Sequence, residues 1–403
     1  MKLLIIADDL TGALDTAVQV SKRGVKTIVS AWAEAETEPC EALCINLDMR
    51  HDTPNEAFCK TVKLLGRYPD VAHIYLKTDS ALRGNLSAAF MALLKVYGKS
   101  VMFIPAYPKA GRVTIGGEQY IGGVGLGDSS FAHDPLNPMT TGNIREILNA
   151  SHNVLCKLVP DGEETSFSEN TEAHIAVFDC QTQAAMALIG ERLKDSGNLH
   201  LTAGCAGFAE ILCDYITFEH EHTQFIPHSS PVLFLSGSAN KATFEQLAHA
   251  RQSGLEIVKI PTEMKFTGLS GSQENLPQIW IRLNKSLAAG QSIILATAEN
   301  YDDLTELPAE RHSDIQQIFA QTARHFADKN HNNFAIFGGD TALAILRGLN
   351  LPCVRPLCEI QSGVPLCASG HLNIATKSGG LGEIDVVAAI EAYMRGQLSV
   401  DSV

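Results

Sequence analysis

Short apolar runs alternate along the chain with stretches in which apolar residues recur every three or four positions. KLLIIA (2–7) leads into a segment where Leu14, Ala17 and Val18 share one helical face before Gly24 supplies a stop. The rhythm continues through KTIVSAW (26–32), EALCINLD (41–48), a helix over 54–66, HIYLKTD (73–79), a helix over 85–97 and SVMFIPA (100–106). NIREILN, AHIAVFDC and a helix over 182–195 resume it after a break. Apolar strands separated by amphipathic helices predict an α/β protein with a mainly parallel sheet flanked by helices. The break, 107–142, is rich in Gly and Pro and reads as a long ordered loop or hairpin.

EHEHTQFIPHSSP (219–231) reads as a linker, with charge and histidine giving way to Pro and Ser. Its EHEH run lacks the i, i+4 histidine spacing of a zinc helix. Beyond it a second series begins: PVLFLSG (231–237), a helix near 240–252, LEIVKI (255–260), QSIILATA (291–298), NFAIFGGD (333–340) and HLNIATKSG (371–379), then a final helix and a polar tail. At 403 residues the chain is too long for one ordinary core at ~150 residues per domain. The expected domains are therefore 1–226 and 227–403, each a mainly parallel sheet flanked by helices.

Composition narrows the partners. Apolar residues make up 45% and the net charge is −14, which disfavours nucleic acid or an anionic membrane while leaving room for a local basic pocket. The N-terminal apolar run, Leu3 to Ala7, is too short for a signal peptide, and no stretch approaches the ~20 apolar residues of a membrane helix. Ten scattered cysteines without a CxxC read as buried free thiols. The expected location is cytoplasmic.

Four strand ends carry similar punctuation: IIADDLTG (5–12), LFLSGSAN (233–240), AIFGGDTA (335–342) and ATKSGGLGE (375–383). In parallel sheets ligands sit beyond the carboxyl ends of strands, where helix N-termini offer unpaired N–H groups suited to phosphate. Ser238 and Thr341 are placed either to cap helices or to bind phosphate oxygens. Three of the four sites fall in the second half, which marks it as a nucleotide-phosphate cradle. There is no G-x-x-x-x-G-K-[ST], no G-x-G-x-x-G despite IGGVGLG (121–127), and no G-x-S-x-G around Ser236 or Ser238.

In the first half, Asp8 and Asp9 stand side by side where a strand meets a helix, and YLKTDSALRGN (75–85) gathers Lys77, Asp79, Arg83 and Gly84. Arg83 and Lys77 suit a carboxylate or phosphate ligand, and a local Asp79–Arg83 ion pair accounts for the pattern equally well. Lys109 and Arg112 mark another strand end and extend the anion-site reading. Phosphoryl transfer joins the halves: it needs a phosphate cradle, a neutralising cation and a carboxylate that orients the attacking hydroxyl. Asp8 or Asp9 would supply that carboxylate in a cleft between the domains. Its neighbour would grip sugar hydroxyls or help hold magnesium.

ADDLTGALD, KTDSALRGN, PAYPKAGRVTIGGEQYIGGV, DPLNPM, GGDTA and KSGGLG, in this order from about residue 4 to 382, together resemble the four-carbon acid sugar kinase family. The chain departs from that family's pattern at Gly125, at Ala239-Asn240 and in KSGGLG. The resemblance implies an N-terminal sugar-acid-binding domain, a C-terminal ATP-binding domain, and ATP-dependent phosphorylation of the terminal 4-hydroxyl of a four-carbon acid. D-threonate is the first expectation, with D-erythronate, L-threonate or an oxo-tetronate behind it. It also implies that Asp8, Asp9, Thr11, Lys77, Asp79, Arg83 and Gly84 line the acid site. Ser236, Ser238, the run Gly338, Gly339, Asp340 and Thr341, and Gly379 would contact ATP. ATP and Mg2+ are the expected cofactors, with the metal ligands left open. A homodimer is the assembly to test. The competing readings are a sugar-acid dehydrogenase or lyase, and a non-catalytic sugar-acid sensor.

Overall fold

The computed structural model describes residues 1–134, 137–163, 172–220, 225–268, 275–304 and 309–397. The chain forms two compact units, Met1–Glu221 and His222–Val403. Parts of three expected features lie outside the described residues: four positions of the linker (221–224), Pro135 and Leu136 of DPLNPM, and the polar tail from 398.

The strands of the first unit are β1 (Leu3–Ala7), β2 (Thr27–Ser30), β3 (Ala42–Asn46), β4 (His73–Lys77), β5 (Val101–Ile104), β6 (Arg112–Ile115), β7 (Glu118–Ile121), β8 (Val124–Gly125), β9 (Cys156–Val159), β10 (Ile175–Phe178) and β11 (Leu201–Gly204). Its helices are α1 (Leu10–Ser21), α2 (Pro54–Leu65), α3 (Leu86–Tyr97), α4 (Ile144–Leu148), α5 (Gln183–Asp195) and α6 (Ala206–Leu212). Eight strands pair in the order β2-β3-β1-β4-β11-β5-β10-β9, and every pairing is parallel. Leu3 to Ala7 are all buried, as a strand covered on both faces requires. The chain leaves β1 toward β2 and β3 on one side and later places β4 on the other, so β1 marks the point where strand order reverses. Ligands in open α/β sheets bind beyond the carboxyl ends at such a point.

The break in the rhythm is a small antiparallel sheet, β6-β7-β8. Gly116-Gly117 and Gly122-Gly123 form its two-residue turns, all four with positive φ (61°, 75°, 58° and 82°), as the tight hairpin turns demand. The first turn is pinned by Asp179, which accepts from the Gly116 and Gly117 amides at 2.6 and 2.9 Å.

The second unit contains β12 (Leu233–Ser236), α7 (Lys241–Gln252), β13 (Glu256–Lys259), α8 (Thr262–Thr267), α9 (Asn275–Ala288), β14 (Ile293–Ala296), α10 (Ala309–Ala327), β15 (Asn333–Phe337), α11 (Gly339–Gly348), β16 (Cys353–Gln361), β17 (Val364–Ser369), β18 (Leu372–Lys377) and α12 (Val386–Met394). Strands β13-β14-β12-β15-β18 are parallel, and β17 and β16 continue from β18 as antiparallel neighbours. The core around Phe234, Leu247, Ile294, Phe337 and Ile390 is buried, each such side chain stabilising by roughly 1.5–3 kcal/mol relative to exposure. All ten cysteines are free and seven are buried. None of the described helices is long and apolar enough to cross a membrane.

Candidate active site

In the first unit the chain beyond β3 keeps bonding to the chain beyond β1. The Leu47 amide donates to Ala7 O at 2.9 Å and the Met49 amide to Asp8 O at 3.0 Å. Asn85 holds the same segment by donating to Met49 O and Asp52 O, both at 2.8 Å. Immediately after Asp52, Thr53 caps α2 with a reciprocal capping box to Glu56. Arg50 is thus carried to the two aspartates. Its Nε and Nη2 donate to Asp8 at 2.7 and 2.9 Å, and its Nη1 donates to Asp9 at 2.7 Å.

Asp9 is also the N-cap of α1: its Oδ1 accepts from the Gly12 amide at 2.8 Å and its Oδ2 from Thr11 Oγ1 at 2.9 Å. The fit is tight. A Cβ at Gly12 would lie 2.5 Å from Asp9 Oδ1 and 2.9 Å from Lys77 Nζ. Lys77 ends β4, in register with Ala7 of β1, and its buried ammonium is 3.6 Å from Asp15.

Beyond β4, Asp79 folds the chain back on itself, accepting from the Ala81 amide at 3.2 Å, with Leu82 at φ 56° and Gly84 at φ 92°. Gly84 meets the first aspartate: a Cβ there would stand 3.1 Å from Asp8 Oδ2. Asp79 receives Arg83 bidentately, Nε at 2.8 Å and Nη2 at 3.0 Å, and Arg83 Nη1 reaches Asp134 at 2.9 Å. The Arg83 guanidinium lies 5.1 Å from the centroid of the Phe131 ring.

The electrostatics follow from this crowding. Burial raises the Asp8 carboxyl above the usual carboxylate range, against the pull of Arg50. At Asp9 burial works the same way, but Arg50 and Lys77 outweigh it and hold the carboxyl low. Asp79 is held well below the usual range, burial being overcome by Arg50 and Arg83. Lys77 is buried yet stays charged, because Asp15 and Asp9 face it.

All seven expected acid-site residues therefore come together, with two additions. Arg50 was not foreseen from the sequence and proves the hub; its only signal was a position just past a predicted strand end. Asp134 lay in a quoted motif without a role. Two expected contributors stay away from the cluster. Lys109 is half exposed and pairs with Glu210 at 2.9 Å, and Arg112 turns its Nη1 to Ala110 O of its own loop.

The second unit gathers its candidates in the same manner. Ser236, Phe337 and Lys377 end β12, β15 and β18 and stand in register across the three strands. Here too strand order reverses, between β12 and β15. The turns beyond them interlock through glycine. A Cβ at Gly237 would lie 2.1 Å from Thr341 Oγ1, and one at Gly379 would lie 3.1 Å from Ser238 Oγ. Gly338, at φ 113°, is the N-cap of α11 and approaches the Ser238 amide; Gly339 and Asp340 open the helix, with Asp340 exposed. Neither Ser238 nor Thr341 caps a helix. Asn240 caps α7 through the Ala242 amide at 2.9 Å, because Ser238 is engaged by Thr243 Oγ1 at 3.0 Å, and α11 starts at a glycine with no side-chain cap. The uncapped N-terminus of α11 and the glycine walls form a cradle into which backbone N–H groups can be presented to an anion. Ser236 Oγ is buried there with no hydrogen-bond partner. Among the described residues no group of three or more His, Cys, Asp or Glu is arranged to hold a metal ion.

Comparison with known proteins gives consistent matches. A family model described as the sugar-binding N-terminal domain matches residues 3–212, and one described as the nucleotide-binding C-terminal domain matches 233–387. The chain is 25% identical to a D-threonate kinase of Salmonella typhimurium, covering 95% of this chain and 96% of that one. It is 24% identical to a 3-oxo-tetronate kinase of Pectobacterium atrosepticum, covering 96% and 98%. It is likewise 24% identical to a D-erythronate kinase of Heliobacterium modesticaldum, covering 98% of each. Among solved structures, a Salmonella typhimurium LT2 protein provisionally labelled a tRNA synthase superposes with a TM-score of 0.81 at 21% identity, over 97% of this chain and 99% of that one; the likeness bears on the fold alone.

Proposed function

The chain belongs to the four-carbon acid sugar kinase family and is a phosphotransferase, and from that premise we propose that it transfers the terminal phosphoryl group of ATP to the 4-hydroxyl of a four-carbon sugar acid. D-threonate is the first candidate, followed by D-erythronate, L-threonate and the oxo-tetronates. The acid occupies the Asp–Arg cluster of the first unit, and ATP the glycine cradle of the second. A single observation carries the reading: one chain holds both a dense polar site suited to a short polyhydroxy anion and a glycine-walled cradle suited to phosphates.

Arg83 has five N–H donors, of which Asp79 and Asp134 take three; two remain for the substrate carboxylate, with Lys77 adding positive charge nearby. Asp8 is the carboxylate assigned to the terminal hydroxyl. Each of its oxygens accepts one bond from Arg50 and keeps a second acceptor site, and its raised pKa suits proton uptake. Asp9 is committed to the α1 cap, Thr11 and Arg50, so its part is to fix the geometry. Mg2+ would arrive on the nucleotide phosphates and spread their charge. No protein-held metal cluster is invoked.

A coupled ADP-release screen over D- and L-threonate, D- and L-erythronate and their oxo forms tests this. ADP release with at least one of them supports the reading, and none with any acid overturns it. A sensor would bind the acid and release no ADP; a dehydrogenase would turn over a nicotinamide cofactor instead.

A further inference from the structure

Lys377 ends β18 with its side chain wholly buried, yet no carboxylate among the described residues pairs with it. Its Nζ donates to Thr243 Oγ1 at 3.1 Å, Ser378 O at 3.1 Å and Gly379 O at 2.9 Å, and sits 5.1 Å from the centroid of the Phe337 ring. On the neighbouring elements, Lys241 and Glu245 of α7 are exposed and pair with each other, and Asp340 on α11 and Glu383 beyond the glycine turn are exposed. This differs from Lys77 of the first unit, which Asp15 and Asp9 balance. A buried ammonium without a counter-ion is costly, and one retained beneath a cradle is suited to a ligand that brings the missing negative charge.

Geometry gives it a mechanical task as well. Thr243 lies in the first turn of α7 and also bonds Ser238 and Gly379 O, at 3.0 and 3.1 Å. Through Thr243 and the Ser378–Gly379 carbonyls, the ammonium ties the turn after β18 to the start of α7. Ser236, two strands away in the same register row, contributes its unpartnered hydroxyl.

Building on the assignment of ATP to this unit, we propose that Lys377 is the positioning cation of the nucleotide-phosphate subsite, holding the Thr243 and Gly379 walls in place and supplying the charge that the phosphates balance. Burial pushes its pKa down to about 7 in the free protein. Phosphate charge favours the protonated form, so binding draws a proton onto Nζ. Above neutrality, nucleotide affinity then falls with rising pH, by up to about tenfold per pH unit.

The test is calorimetry of Mg-free ADP binding to the full chain from pH 7.5 to 9.5, where ADP itself is fully ionised, in buffers of different ionisation enthalpy. The wild type should take up close to one proton per ADP at pH 8 and bind more weakly as pH rises. Lys377→Met should bind at least tenfold more weakly at pH 7.5, with no proton uptake and a flat profile, while still binding the sugar acid with wild-type affinity. Lys377→Arg should restore part of the affinity with a flat profile. ADP binding by the wild type without proton uptake, or equal affinity in Lys377→Met, overturns the role of Lys377 and leaves the nucleotide assignment intact. Failure of the wild type to bind ADP at all overturns both. The wild-type proton count decides the matter even if Lys377→Met does not fold.

Discussion

Arg50 binds Asp8 and Asp9 with three of its N–H groups, at 2.7, 2.9 and 2.7 Å, and so joins the chain beyond β3 to the β1–α1 turn. The adjacent carboxylates that make the opening of this sequence unusual are thus balanced from within the protein. Replacing Arg50 by Ala removes the guanidinium that both carboxylates accept from in a largely buried place and leaves only Lys77 to offset their charge, and breaking such a network typically costs about 3–5 kcal/mol. Arg50→Ala should therefore lower the urea midpoint of the first unit and abolish turnover. Arg50→Lys, which has no planar fork, should recover part of the stability and little of the activity.

Arg83 is expected to act on one substrate only. Arg83→Ala should raise KM for the acid by at least about tenfold, equivalent to ~1.4 kcal/mol, and change KM for ATP less than twofold. Steady-state kinetics with each substrate varied in turn checks this, and equal effects on both constants would count against the assignment.

Two glycines offer a matched pair of steric probes. Gly237→Ala brings a Cβ to 2.1 Å from Thr341 Oγ1, and Gly12→Ala brings one to 2.5 Å from Asp9 Oδ1. Overpacking of this kind costs typically about 1–3 kcal/mol. Gly237→Ala should weaken ATP binding selectively and be relieved by Thr341→Ala, which removes the clashing oxygen. Gly12→Ala should weaken acid binding selectively. Calorimetric titration of each variant with each ligand separates the two effects.

The ion pair of Asp79 with Arg83 and its neighbour Arg50 sets a pH dependence of stability. Its folded-state pKa lies below the unfolded value, so its contribution is fully present above pH ~4 and is lost as pH falls through the folded value. Asp8, raised by burial, has the opposite sign: the folded state holds its proton more tightly, and its contribution declines as pH rises above ~4. Asp79→Asn should be clearly less stable than wild type at pH 7, and the deficit should only begin to shrink at pH 3, most of it persisting there because the folded-state value lies well below the usual carboxylate range. Denaturant midpoints at the two pH values measure the difference.

The alternating pattern of apolar runs and helical stretches was enough to locate β1, β3, β4, β12, β15 and β18 to within three residues at either end, because a strand buried on both faces is written as an uninterrupted apolar run. The antiparallel pair β16 and β17 was not legible. β16 alternates buried and half-buried residues around Pro356, and its bulges disturb the register. Arg50 escaped for another reason: nothing local to INLDMRHD says that β3 lies beside β1. Only the strand order, a long-range property, brings its guanidinium to Asp8. Lys377 stood in a recognised motif, but its isolation from carboxylates appears only once the fold buries it.

The most direct test of phosphoryl transfer to the terminal hydroxyl is the proton-coupled phosphorus NMR spectrum of the product made from ATP and the acid that supports ADP release. A phosphate on C4 couples to the two protons of a CH2 group, so the account predicts a new phosphomonoester triplet growing in step with ADP. A doublet, marking attachment at a carbon bearing one proton, or growth of inorganic phosphate alone, would contradict it.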